Sequence, residues 1–217
     1  VDVLTRTPAS MSQAIATCLQ HMGTWLEVER PDLLLLLGDR GEMLAGALAA
    51  LNQGVPTVHL HGGERSGTVD EPVRHAISKL CNHHLVATEA SRERLVRMGE
   101  ARERIHVVGA PGLDGLTALA AGERADALRA LGLPADQAFV LVVFHPVVQQ
   151  AAQARDQTLT LLDAVQRLAL PVLWLEPNAD AGAHGVLQAL DEHPLPPGSR
   201  RVAHLDRPLF AQAMRHA

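Results

Sequence analysis

The sequence predicts an α/β protein of doubly wound, Rossmann-like architecture. Three observations carry this: short continuous apolar runs of strand length, helix-length stretches between them, and polar clusters directly after the runs. Apolar strands that alternate with helices mark a parallel sheet covered on both faces. The first strand is Leu33–Leu37, introduced by the turn signal Pro31-Asp32. A helical pattern over Glu42–Asn52 closes at Gly54, a residue suited to the left-handed cap. Further strands are expected at Val55–Leu60, His84–Thr88, Ile105–Val108, Phe139–Phe144 and Pro171–Leu175, with a weak one near Arg201–His204. Helices are expected at Asp70–Leu80, Ala90–Met98, Thr117–Leu131, Ala154–Leu168 and Gly185–Leu190, and the end of the chain, Arg207–Ala217, is helix-like.

A domain boundary falls where Ala121-Gly122-Glu123-Arg124 and Gly132-Leu133-Pro134 bracket a small helix before a new β-α-β unit opens at Phe139. This gives a first Rossmann-like domain at 1–116, a connecting helix or linker at 117–137 and a second domain at 138–217. Both sheets read as unfinished, since so small a parallel sheet leaves apolar edges uncovered. The chain therefore reads as a fragment.

Composition removes several function classes. Aromatic residues make up only 2% of the 217, and the formal charge is −5. Stacking platforms for single strands need aromatic rings, and phosphate-backbone binders need a basic field, so no nucleic acid is expected. No apolar run spans a membrane, and Val1–Thr7 lacks the basic and apolar regions of a signal peptide, which together point to the cytoplasm. Two cysteines without a CxxC support neither a disulfide framework nor a thiolate zinc site, and Cys81 reads as a small buried residue. There is no GxGxxG, no Walker A sequence and no GxSxG elbow.

Ligands of parallel sheets bind at the carboxyl ends of the strands. Three polar clusters stand there: Gly38-Asp39-Arg40, the run His59-Leu60-His61-Gly62-Gly63-Glu64-Arg65-Ser66-Gly67, and Phe144-His145-Pro146. Gly62-Gly63 permits close backbone approach and positive φ. Asp70 is placed to cap the following helix. On that helix Val73, Ile77 and Leu80 form the apolar face, and Asp70/Arg74 and Glu71/His75/Lys79 form polar faces at i,i+4 spacing. By itself that spacing is what a solvated helix surface shows; its place after the Gly-Gly loop favours function. Histidine is abundant, 12 in all, with five between His59 and His84. His59-x-His61 has the spacing of a metal-binding pair, but that reading needs a barrel of roughly 250 residues and further ligands that the sequence lacks. No metal is expected. His83-His84 opens a strand and reads as packing or exposure, His145 ends one and could meet a phosphate or transfer a proton, and His106, His184, His193, His204 and His216 have no constellation around them.

Taken in order, Gly38-Asp39-Arg40-Gly41-Glu42-Met43-Leu44, His59–Glu64, Ser66–Glu71, Arg74–Leu80, Val108–Asp114, His145-Pro146-Val147 and Pro177–Gly182 resemble the hydrolysing UDP-N-acetylglucosamine 2-epimerases of sialic-acid pathways. The resemblance covers nearly the whole chain. It implies a GT-B-like fold of two Rossmann-like domains, with the active site in the cleft between them and no nicotinamide or other cofactor. It implies a UDP-sugar as substrate, a homo-oligomer (dimer or tetramer) in the full-length form, and conversion of UDP-GlcNAc and water to N-acetylmannosamine and UDP. Elimination across C1–C2 gives a glycal, which is then hydrated, so acid/base groups are needed on two faces of the sugar. Asp39, Glu64, Asp70 and Glu71 would supply them, and His145 would contact or protonate the departing phosphate. Arg40, His61, Gly62, Gly63, Arg74, His75 and Lys79 would position sugar or phosphate, with Asn178 and Asp180 near the nucleotide.

The sequence departs from the family in starting after its Gly-Thr-Arg loop and ending before its Gly-Asn-Ser-Ser loop and Arg-Gly-Arg region. Gln149 and Gln150 replace a Thr and an acidic residue. These departures predict that the 217 residues alone are inactive. The sister substrate is a UDP-2,4-diacetamido sugar of legionaminic-acid synthesis. The non-hydrolysing enzymes carry a different loop, His-Val-Glu-Ala-Gly-Leu-Arg. A silent nucleotide-sugar-binding fragment is the reading from another class.

Overall fold

The computed structural model describes residues 8–68, 70–178 and 180–217, without the side chains of residues 8–10. Val1–Thr7, read above for a leader, and the motif positions Val69 and Ala179 lie outside the described residues. The chain divides into two compact units, with the division between Pro111 and Gly112. The segment 117–137, expected as a connection, is counted with the second.

In the first unit the elements run α1 (Pro8–Glu29), β1 (Leu34–Leu37), α2 (Gly41–Gln53), β2 (Thr57–Leu60), α3 (Asp70–Leu80), β3 (His83–Val86), α4 (Glu89–Arg97) and β4 (Ile105–Val107). The four strands are parallel in the order β1-β2-β3-β4, with Leu34 opposite Thr57, His59 opposite His84 and His84 opposite Ile105. Stepping one way through right-handed crossovers sets the connecting helices on one face. Leu34 and Leu36 pack there against Met43, Leu44 and Ala47 of α2 and Val73 and Ile77 of α3, while Val86 and Ile105 pack against Leu95 of α4. Burial on both faces, expected from the apolar runs, does not hold for this sheet among the described residues. Leu35 and Leu37 on the other face are each 56% exposed.

Helix α1 has no counterpart among the expected elements. Its apolar residues form no clean stripe, and it is held by α2: Leu19, Met22 and Leu26 pack on Ala49 and Ala50, and Gln53 Nε2 donates to the Gly23 carbonyl at 2.7 Å. A Cβ on Gly41 would lie 2.5 Å from Ile15 Cδ1, so the two helices close to contact where α2 begins. Helix α2 ends at Gly54, which takes φ 69° as the cap pattern predicts.

The second unit runs α5 (Leu116–Leu119), α6 (Arg124–Leu131), β5 (Val140–Val143), α7 (Ala154–Leu168), β6 (Val172–Leu175), α8 (Ala183–Glu192), β7 (Arg200–Val202) and α9 (Arg207–His216). The helix expected over Thr117–Leu131 is broken in two, because Gly122 between the pieces sits at φ 138°, outside helical space. The parallel sheet β5-β6-β7 is covered on both faces. Val142, Val172 and Trp174 face Leu162 and Val165 of α7 and Val186 and Ala189 of α8. Leu141, Leu173 and Leu175 face Leu128 and Leu131 of α6 and Ala213 of α9. Among the described residues no helix is long and apolar enough to cross a membrane.

Candidate active site

Most of the expected site residues of the first unit lie along the carboxyl edge of its sheet and the start of α3. Past β1, Gly38 turns at φ 84° and delivers Asp39 to Arg74 of α3, whose Nη2 donates to Asp39 Oδ2. The Arg74 side chain is only 10% exposed, against the solvated surface that its spacing alone describes. Its Nε and Nη1 are buried with no hydrogen-bond partner among the described residues. A guanidinium so placed has N–H groups to give to an anionic oxygen.

Past β2, His61 takes φ 65°, rare for a side chain with a Cβ, and its Nδ1 lies 3.3 Å from Glu64 Oε1. Gly63 follows at φ 76°, where a Cβ would stand 2.5 Å from the Ser91 carbonyl, and Arg94 of α4 donates to the Gly63 carbonyl. The loop is thus clamped onto α4, and the Glu64 side chain stays 36% exposed.

The acids at the start of α3 have different surroundings. Asp70 is not the cap that its position implies: the Thr68 hydroxyl accepts from the Asp70 amide at 3.3 Å and donates to Asp70 Oδ2 at 3.2 Å. Asp70 and Arg40 both line a recess of about 40 Å³ with Gly41 and Glu42. Glu71 Oε2 accepts the backbone amides of Gly67 at 2.8 Å and Ser66 at 3.0 Å, and these bonds hold its carboxyl below the usual range. His75 Nε2 is 3.9 Å from Glu71 Oε1; burial pushes the His75 pKa down, and the nearby carboxylate opposes that shift. Lys79 is not brought to this group. It lies in the last turn of α3, with Nζ 2.6 Å from Glu100 Oε1. Glu100 Oε2 is in turn 3.4 Å from Nε2 of the buried His84, whose place at the start of β3 is a packing one. The Cys81 thiol is buried and pushed up to about 11, which leaves it unreactive.

In the second unit, His145 follows β5, and its Nδ1 accepts from the Asn178 amide at 3.2 Å. Asn178 Nδ2 donates to Asp180 Oδ2 at 2.7 Å, so these three form one polar corner. It borders a cavity of about 530 Å³ at the carboxyl ends of β5, β6 and β7, lined also by Glu176, His204, Arg207 and Phe210. These four were not singled out from the sequence, and His204 read as bland. The available signal was position, since they follow β6 and β7 where ligands of such sheets bind.

Among the described residues no three His, Cys, Asp or Glu groups come together to hold a metal ion. Both ring nitrogens of His59 are engaged inside the first unit, Nε2 2.7 Å from the Gly38 carbonyl and Nδ1 2.9 Å from Ser78 Oγ.

The sequence profile of UDP-N-acetylglucosamine 2-epimerases matches residues 2–217. The chain belongs to this family. It is 45% identical over 214 residues to a protein of Legionella pneumophila named UDP-N,N'-diacetylbacillosamine 2-epimerase (hydrolyzing), covering 99% of this chain and 57% of the relative. It is 37% identical over 164 residues to a UDP-N-acetylglucosamine 2-epimerase of Neisseria meningitidis, covering 76% and 43%. A crystal structure of the Neisseria meningitidis UDP-GlcNAc 2-epimerase bound to UDP-GlcNAc superposes with a TM-score of 0.77 at 16% identity, over 95% of this chain and 58% of that one. This likeness carries the fold, which is α/β and GT-B-like with two Rossmann-like units on parallel sheets. The chain spans about half the length of these relatives.

Proposed function

We propose that this chain carries site residues of a hydrolysing UDP-sugar 2-epimerase, acting by elimination of UDP to a glycal and hydration of that glycal. The observation that supports this most is Arg74, buried, paired with Asp39 and holding two further N–H groups without partners among the described residues. Such a group suits an anionic substrate whose leaving group is a diphosphate.

Elimination requires a base at the C2 proton while the C1–O bond to UDP breaks; hydration then adds water at C1 and returns a proton to C2 on the opposite face. In this reading Glu64 and Asp70 do the proton transfers. Asp39 holds Arg74 on the anionic group. Glu71, kept ionised by two backbone amides, fixes the 65–67 turn and acts through that turn. Arg40, His61, Gly62, Gly63 and His75 position the sugar; Lys79, at the far end of α3, takes no part. In the second unit His145 meets the departing phosphate, with Asn178 and Asp180 beside the nucleotide. The 530 Å³ cavity is of a size for a nucleoside, and Phe210 offers a ring for the base.

The substrate is a UDP-2-acetamido sugar. UDP-GlcNAc would yield N-acetylmannosamine for sialic-type acids, and the 45% identity to the Legionella pneumophila protein supports a 2,4-diacetamido sugar about as well. The test is UDP release by the full-length protein from both sugars. Turnover of either one is expected, with Glu64→Gln slower by about 10²–10⁴-fold. Near-normal release by Glu64→Gln overturns its role. His145→Ala is expected to lose most UDP release with its circular dichroism unchanged.

A further inference from the structure

We infer that His59 is the positioning residue of this site, and that it sets Asp39 and Arg74 through its Nε2–H bond to the Gly38 carbonyl. The inference rests on the epimerase reading for its catalytic consequence; the geometry stands without it. His59 is wholly buried on the helix-facing side of β2, a place that otherwise favours an aliphatic side chain. A carbonyl can only accept, so the 2.7 Å contact to Gly38 puts the proton on Nε2. In the neutral ring Nδ1 then accepts from the Ser78 hydroxyl, 2.9 Å away.

Both ends of this bridge lead to the same ion pair. Gly38 precedes Asp39, and the peptides on both sides of it are fixed: its amide donates to the Leu60 carbonyl at 2.9 Å, and its carbonyl accepts from His59. Ser78 lies one turn after Arg74 on α3, and with its one proton given to His59 it is tied to Arg74 by the helix backbone. Hydrogen bonds therefore join Gly38 to His59, His59 to Ser78 and Arg74 to Asp39, and the turn of α3 between Arg74 and Ser78 completes the circuit through β2, the β1–α2 loop and α3. The loop that carries His61 and Glu64 is seated on the same bridge: a Cβ on Gly62 would lie 2.9 Å from both His59 Nδ1 and Ser78 Oγ. One buried ring thus fixes the heights of three polar segments. An isosteric apolar residue would fill the volume without fixing the Gly38 peptide. Burial holds the His59 pKa at about 4, so the ring is neutral wherever the carboxylates work.

Two substitutions in the full-length protein separate the two ring nitrogens. A Gln amide reaches the position of Nε2, and an Asn amide reaches only that of Nδ1. His59→Gln is expected to keep kcat within about fivefold, whereas His59→Asn is expected to lose about 10²-fold in kcat with a much smaller change in KM. Arg74 side-chain N–H signals in NMR spectra give a readout without turnover: they are expected to stay protected from exchange in wild type and His59→Gln and to be lost in His59→Asn. Equal kcat and equal Arg74 protection in the two variants overturn the assignment. If wild type releases no UDP from either sugar, the epimerase reading fails, and the Arg74 signals still decide the role of His59. If His59→Asn does not fold, His59→Gln decides alone: kcat within fivefold and intact Arg74 signals support the inference, and a larger loss with native circular dichroism overturns it.

Discussion

The two sheets are built from strands of the same kind, yet among the described residues only one is enclosed. β5-β6-β7 has helices on both faces, and its central strand is buried from Val172 to Trp174. β1-β2-β3-β4 has helices on one face and exposes Leu35 and Leu37 on the other. Stability in the second unit is therefore carried by the sheet itself. In the first it depends on the helix-facing side, which is also where polar groups are buried: Thr57, His59, Ser78 and His84 all lie there. One unit is a conventional apolar core, and the other places a hydrogen-bonded bridge beneath its candidate site.

The largest expected effect breaks the enclosed sheet. Trp174 is fully buried on the central strand, between α7 and α8. Trp174→Ala is expected to destabilise by about 3–5 kcal/mol in urea denaturation followed by circular dichroism. A loss below about 1 kcal/mol would mean that this face is not the core that its burial describes.

The next effect sharpens the contrast through pH. The folded-state pKa of His59 is lowered to about 4 by burial, against the raising effect of its bond to the Gly38 carbonyl; the charges of His84 and Arg74 add to the shift and Asp39 opposes it. The unfolded chain therefore binds a proton near pH 6.5 that the folded chain refuses until about pH 4. Stability is full above the unfolded value and falls as pH drops through that window, by about 3 kcal/mol for this group. Burial lowers His75 and His84 in the same direction. Unfolding free energies measured from pH 7 to pH 4 are expected to fall along this curve, and less steeply in His59→Gln. An equal slope in both proteins would remove His59 from the account.

What the sequence showed and hid follows the same division. Strand runs, the bounds of α3 and α7 and the caps at Gly54 and Gly132 were readable, because period and turn chemistry are local. Helix α1 was not, since its packing on α2 rather than an apolar stripe defines it. The open face was not, since a continuous apolar run looks the same whether one or two layers cover it. Within the site, Asp39, Glu64 and His145 were legible as polar residues after strands. The burial of Arg74 and the anchoring of Glu71 required three-dimensional neighbours, as did the separation of Lys79. His59 gave the wrong local signal, a metal-like spacing with His61. Its partners are a backbone carbonyl and a serine 19 residues on.

A smaller test compares helix starts across the two units. Thr88 Oγ1 accepts from the Ser91 amide at 3.1 Å to open α4, and Asp206 Oδ1 accepts from the Leu209 amide at 2.8 Å to open α9. Each substitution to Ala is expected to cost about 1 kcal/mol. Hydrogen exchange read helix by helix should show faster exchange in the capped helix alone. Thr88 carries a second consequence: its hydroxyl also meets Ser91 Oγ at 2.9 Å, and the Ser91 carbonyl lies where a Cβ on Gly63 would clash, so Gly63 packs closely on Ser91. Thr88→Ala should therefore also loosen the 61–64 loop, whereas Asp206→Ala should leave that loop unchanged.

The smallest expected effect lies on the open face, and it bears most directly on the difference between the sheets. Leu35 and Leu37 lie in register with Val58 and Leu60, so the outer side of β1 and β2 is an apolar stripe. In the described chain a side chain 56% exposed has little transfer energy left to lose. Leu35→Thr keeps β propensity while removing apolar surface, and is expected to change stability by less than about 0.5 kcal/mol. The helix-facing neighbour Leu36 is 3% exposed, and Leu36→Ala is expected to cost about 2–5 kcal/mol. The ratio of the two costs reads directly how one-sided the sheet is. If Leu35→Thr costs as much as Leu36→Ala in the full-length protein, the outer face of the first sheet is as enclosed there as both faces of the second.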